Sequence, residues 1–125
     1  MTNQSVKPPD PWVHTRSADA EGFAWELDVD ATARVLLGVV PVADGGFQLR
    51  VSSIDESRLI THHTFVVDDY VTKDAAADAL ESFASRAAER LADVDRSGPP
   101  LVVAVQELIE RFQHHGSIFR PSFDR

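Results

Sequence analysis

The chain has 125 residues, no cysteine, and 20 acidic against 12 basic residues, for a formal net charge of −8. That length suits one domain with its own core, and the missing thiols exclude disulfides, thiolate metal centres and cysteine nucleophiles, which fits a reducing cytoplasm. The acidity argues against nucleic acid, whose phosphate backbone calls for a basic face.

Residues 1–22 are polar, carry Pro8, Pro9 and Pro11 and show no periodicity, which predicts a mobile arm with Trp12 and Val13 able to dock it. MTNQSVKPPDPW has no basic head followed by an apolar stretch, and the longest apolar run, VLLGVVPVA, is far below the roughly 20 residues needed to span a bilayer. The expectation is a chain that is neither exported by a visible signal nor membrane-spanning. FAWELDVD alternates from Phe23, with Trp25, Leu27 and Val29 on one side and Glu26, Asp28 and Asp30 on the other, as a half-buried strand does. ARVLLGVVPV, from Ala33, is apolar on both faces and reads as a strand covered on two sides. ADGG at 43–46 supplies a hairpin turn, and FQLRVSSI alternates again with Phe47, Leu49 and Val51 inward. A second turn, DES, leads into RLITHHTFVV.

After Tyr70 the period lengthens. Ala76, Leu80, Phe83, Ala87 and Leu91 recur at three or four residues from Lys73 to about Val94, with Thr72 as N-cap and Asp74 in the first turn. RSGPP breaks the chain. Pro100 suits a first helical turn, and Leu101, Val105, Leu108, Ile109 and Phe112 form one stripe before Gly116 ends the helix. LVVAV could alternatively be a fifth strand, but the stripe runs through both halves of the segment. The predicted fold is α+β: a four-stranded antiparallel meander followed by two C-terminal helices packed on one face, with a domain at 23–116 and a tail at 117–125.

The stretch ITHHTFVVDDY sets two histidines five residues ahead of two aspartates, the groups of which metal and acid/base sites are made. In a regular strand His62 and His63 point to opposite faces, Asp68 shares a face with His62 and Asp69 with His63, and each pair is about 20 Å apart. One metal bridging them is excluded by that spacing. A site drawn from different strands remains conceivable: His62 with Glu26, Asp28 and Asp30, and His14 swinging in from the arm, in a Greek-key order that makes the two strands neighbours. His114 and His115 suit the C-terminal end of a helix dipole. Walker, Rossmann, G-x-S-x-G and H-E-x-x-H patterns do not occur, so no catalytic, cofactor-binding or metal residue is assigned and no cofactor is expected.

Two further features bear on function. Thirteen Asp stand against seven Glu and ten Arg against two Lys, a bias that resembles proteins of extreme halophiles and that GC-rich coding also produces. The second strand is apolar on both faces while helices cover only one, so Leu36, Val40 and Val42, with Ile60, His62 and Val66 of the fourth strand, are expected to form an interface. The expected partner is a second copy of the chain in a homodimer, or another protein, with neither nucleic acid nor membrane; the competing cover is the arm itself. The order of elements over residues 23–115, with the acidity, resembles the SecB family of export chaperones, which are tetrameric holdases. That resemblance implies a protein-binding role and transfers no residues. The reading is a non-catalytic interaction or self-association module of a halophilic cytoplasmic protein, with a small metal-dependent enzyme around His62 as the alternative.

Overall fold

The structure, a computed structural model, describes residues 7–15, 23–92 and 100–119, with side chains as far as Gln113. Its elements are β1 (Val13–His14), β2 (Trp25–Asp30), β3 (Ala33–Pro41), β4 (Phe47–Asp55), β5 (Thr61–Tyr70), α1 (Lys73–Ala92) and α2 (Leu101–Phe119). All five strands join one antiparallel sheet in the order β1-β2-β3-β4-β5, so the meander is correct and the expected four strands become five.

The additional strand comes from the segment read as an arm. Val13 pairs with Glu26 and His14 with Trp25, and the Thr15 amide donates to the Ala24 carbonyl at 2.8 Å. Trp12 anchors it: the indole is 2% exposed, lies in the core, and donates from Nε1 to the Ala84 carbonyl of α1 at 2.8 Å. A polar, proline-rich segment hides such docking from periodicity, because one long-range aromatic contact leaves no repeating pattern.

Both helices cover the same face of the sheet. α1 packs over β2, β3, β4 and β5, and α2 over β4 and β5. Trp25, Leu27, Val35, Leu37, Leu49, Val51 and Val67 meet Phe83, Ala87, Leu91, Leu101, Val105 and Leu108 in one core, with Phe112 packed against it. The Phe83 and Phe112 rings stand edge to face, with centroids 5.2 Å apart. Thr72 caps α1 by accepting from the Ala75 amide at 3.1 Å. Residues 101–105 are helical, as the stripe requires, and α2 continues past Gly116 to Phe119 instead of stopping there. The side chains of His114 and His115, and the bases Arg120 and Arg125, lie outside the described residues.

The turn between β3 and β4 uses both glycines. Gly45 has φ +97°, and a Cβ on Gly46 would stand 2.9 Å from the Tyr70 carbonyl oxygen. Two bulges interrupt the ladder. In β2 the register shifts between Asp28 and Asp30, and in β5 Leu49 opposes Asp68 while Arg50 opposes Val66, leaving Val67 as the extra residue.

Candidate interaction site at the open edge of the sheet

Strand register fixes which side chains share the helix-free face. Val13, Glu26, Leu36, Ser52 and Thr64 form one row across it, and Asp28, Arg34, Ile54 and His62 the next. Each bulge then reverses the face of the residues beyond it. Asp30 lands opposite Ala33, a core residue, and so leaves the row of Glu26 and Asp28. Asp69 lands opposite Gln48, on the same face as His62, whereas strict alternation put Asp68 there; Asp68 opposes the core residue Leu49. One inserted residue explains both corrections, since side-chain direction has a period of two.

The metal alternative loses its geometry here. β2 and β5 are separated by β3 and β4, so the first-strand acids and His62 lie about 14 Å apart at the usual strand spacing. His14 opposes Trp25 on the far edge strand, in the register of the helix-covered face, with neither His62 nor Glu26 beside it. Among the described residues no group of three His, Asp or Glu side chains could hold a metal ion.

The six residues expected as an interface do not form one patch. Leu36 is 2% exposed within the single chain and has no surface to offer a partner. Val40 and Val42 are half-buried. The face around β4 is polar: the Arg50 Nε donates to Gln48 Oε1 at 2.8 Å, Gln48 Nε2 donates to Asp69 Oδ1 at 3.0 Å, and the Ser52 and Thr64 hydroxyls lie 3.1 Å apart. Ile60, His62 and Val66 remain accessible, and all three lie on or beside β5.

Two residues that sequence reasoning passed over, Leu59 and Val71, belong to the same region. Among the described residues the exposed large apolar side chains are Val13, Leu59, Ile60, Val66 and Val71; four of these five lie on β5 or at its two ends. Leu59 at 81%, Ile60 at 74% and Val71 at 86% are almost fully in water. Their signal in sequence was position: each flanks the last strand of a meander, which must lie at an edge.

The two edges of the sheet differ. β1 is two residues long and follows Pro11, which limits how far another chain could pair along it. β5 is ten residues long and contains neither lysine nor proline. His63 turns its carbonyl toward β4, where it accepts the Ser52 hydroxyl at 3.2 Å, so the alternate residues His62, Thr64 and Val66 present their backbone groups to the other side, where no strand among the described residues pairs with them. Thr61 to Thr64 are exposed on both faces. Farther along, Gln113 of α2 donates to the Val67 carbonyl at 2.6 Å, which ties the bulge to the helix. A hollow between this edge and α2 is lined by Phe65, Val66, Val103, Ile109, Gln106 and Glu110, an apolar floor with a polar rim.

No family model matches the chain, and neither a curated protein nor a solved structure matches it. No helix among the described residues is long and apolar enough to cross a membrane.

Proposed function

We propose that this protein is a non-catalytic interaction module, working in the cytoplasm of a halophile, and that it engages its partner by strand addition along β5. The observation that carries this reading is the gathering of exposed Leu59, Ile60, Val66 and Val71 around a long open edge strand. Exposed edges are templates for pairing, and natural sheets commonly shorten, charge or cover them. In strand addition the backbone supplies hydrogen bonds and alternate side chains supply selectivity. The hollow beside α2 would receive the apolar side chains of an added strand on one face. The abundance of Asp over Glu and the scarcity of Lys support operation in concentrated salt.

Thr64→Pro tests the reading. Thr64 is exposed and directs its amide outward, so proline removes a donor from the open edge without deleting a backbone bond to β4, and the one contact to β4 that goes with it is the 3.1 Å hydroxyl pair with Ser52. The protein and the variant are used side by side as bait in lysate held at molar KCl, after circular dichroism has shown both to be folded. A partner captured by the parent chain and lost by Thr64→Pro is expected. Equal capture by both would reject the edge as the contact.

A further inference from the structure

We infer that the strand added to β5 is β5 of a second copy, paired antiparallel about a two-fold axis through Phe65. This deepens the proposal of strand addition and rests on it.

The argument is one of self-complementarity. The outward-facing row of β5 is His62, Thr64, Val66 and, after the bulge at Val67, Asp69. Two such rows laid antiparallel set His62 against the partner's Asp69 and Thr64 against the partner's Val66, and the two-fold repeats both contacts in reverse. The bulge is needed for this register: three residues, 66 to 69, span the distance that 62 to 64 covers on the other copy. On the opposite face the same alignment brings His63 against the partner's Asp68 and the two Phe65 rings together at the axis. Beyond the strand ends, Ile60, 74% exposed, meets the partner's Val71, 86% exposed.

Every part of the segment from Ile60 to Val71 thus finds its complement in its own reversal. Two histidines lie at one end and two aspartates at the other, with an apolar residue outside each pair. Opposite charges directly across an antiparallel pair stabilise it, and like charges there oppose it. Parallel pairing would place histidine beside histidine and aspartate beside aspartate, so the charges also select the direction. Coverage is complementary as well: Thr61 to Thr64 are bare, whereas the far half of the strand is tied to α2 through Gln113, and the two-fold puts each bare half beside a covered one. Such a contact uses the same surface on both copies and closes without further growth.

A charge exchange tests the register. One variant carries His62→Asp with His63→Asp, the other Asp68→Lys with Asp69→Lys. In either homodimer all four cross-strand pairs have like charge, whereas in the heterodimer all four are opposite. Light scattering and native mass spectrometry are run at about pH 6, at the lowest salt that keeps each chain folded. The expected result is a dimeric parent chain, two monomeric variants, and a one-to-one heterodimer on mixing. Should the aspartate exchange impair folding, the outer pair alone, His62→Asp mixed with Asp69→Lys, repeats the test at two exposed positions. A monomeric parent, undiminished homodimers of both variants, or no association on mixing would overturn the inference. If the parent is monomeric yet Thr64→Pro still abolishes capture of a different protein, the second copy is wrong and strand addition stands. If both tests fail, strand addition falls with it.

Discussion

Replacing Trp12 by alanine should destabilise the protein by about 3 kcal/mol, although Trp12 lies eleven residues before the first residue of the predicted domain. The indole is 2% exposed, wedged between the sheet and α1. A buried aromatic removes about 150–250 Å² from water, which at about 25 cal/mol per Å² amounts to roughly 4–6 kcal/mol as an upper bound. The hydrogen bond to the Ala84 carbonyl contributes about 0.5–1.5 kcal/mol more. Against this, residues 7–15 can leave the core once the anchor is gone and recover chain entropy of about 1–2 kcal/mol per residue. The loss is therefore capped by the free energy of docking the segment and falls at the low end of the range for Trp→Ala. Urea unfolding followed by circular dichroism measures it, with Trp12→Phe expected to lose about half as much because the ring volume is largely kept. Fluorescence gives an independent check. Trp12 and Trp25 are the two tryptophans, and both are buried, so iodide should quench neither in the folded protein. A loss below roughly 1 kcal/mol for Trp12→Ala, or iodide quenching of about half the native emission, would show that the segment is not docked and would refute the reasoning.

Phe83→Ala removes the fully buried ring that Phe112 meets edge to face, and should cost about 3–5 kcal/mol in the same urea assay. Thermal midpoints should rise between dilute buffer and molar KCl, because screening relieves repulsion within a chain of net charge −8; a flat or falling midpoint in scanning calorimetry would reject the halophilic reading.

Much of the fold was legible because it follows from periods and punctuation. The alternation in WELDVD and FQLRVSSI, the lengthened period after Tyr70, and the glycine turn at 45–46 each report local geometry, and the structure places β2, β4, α1 and the hairpin where they indicate. Trp12 is legible as a residue able to dock its segment, but the place where it docks is not, for the opposite reason. Its role depends on Ala84, 72 residues away, and no local pattern encodes that contact. The outer face is legible only in part, because a strand apolar on both faces calls for a second cover without saying whether that cover lies in the same chain. Leu36 is in fact closed off within one chain, Ser52 and Thr64 make its own row polar toward β5, and Arg50 and Gln48 do the same for the rows beyond.

The histidine and aspartate pairs show why a face-by-face reading of a strand fails at a bulge. Strict alternation assigns Phe65 and Val67 inward, carries Asp69 inward after them, and would turn Tyr70 away from the core that it in fact packs against. The Val66–Val67 doublet followed by Asp68–Asp69 is the sequence trace of the remedy: an extra residue at Val67 keeps both Val67 and Tyr70 against the core and returns Asp69 to solvent, where Gln48 holds it. The same insertion that reverses the face also sets the spacing along the open edge. Without it the rows of two antiparallel copies would be His62, Thr64, Val66 and Asp68, each would match at a uniform interval, and Phe65 would still lie on the axis, but Asp68 would then face outward in place of Asp69. In the same pairing an unbulged strand would also set His63 against the partner's Val67, whereas with the extra residue His62 meets Asp69 on one face and His63 meets Asp68 on the other. A pair of adjacent histidines needs a pair of adjacent acids at the other end of the strand, one for each face, and that is the composition β5 has.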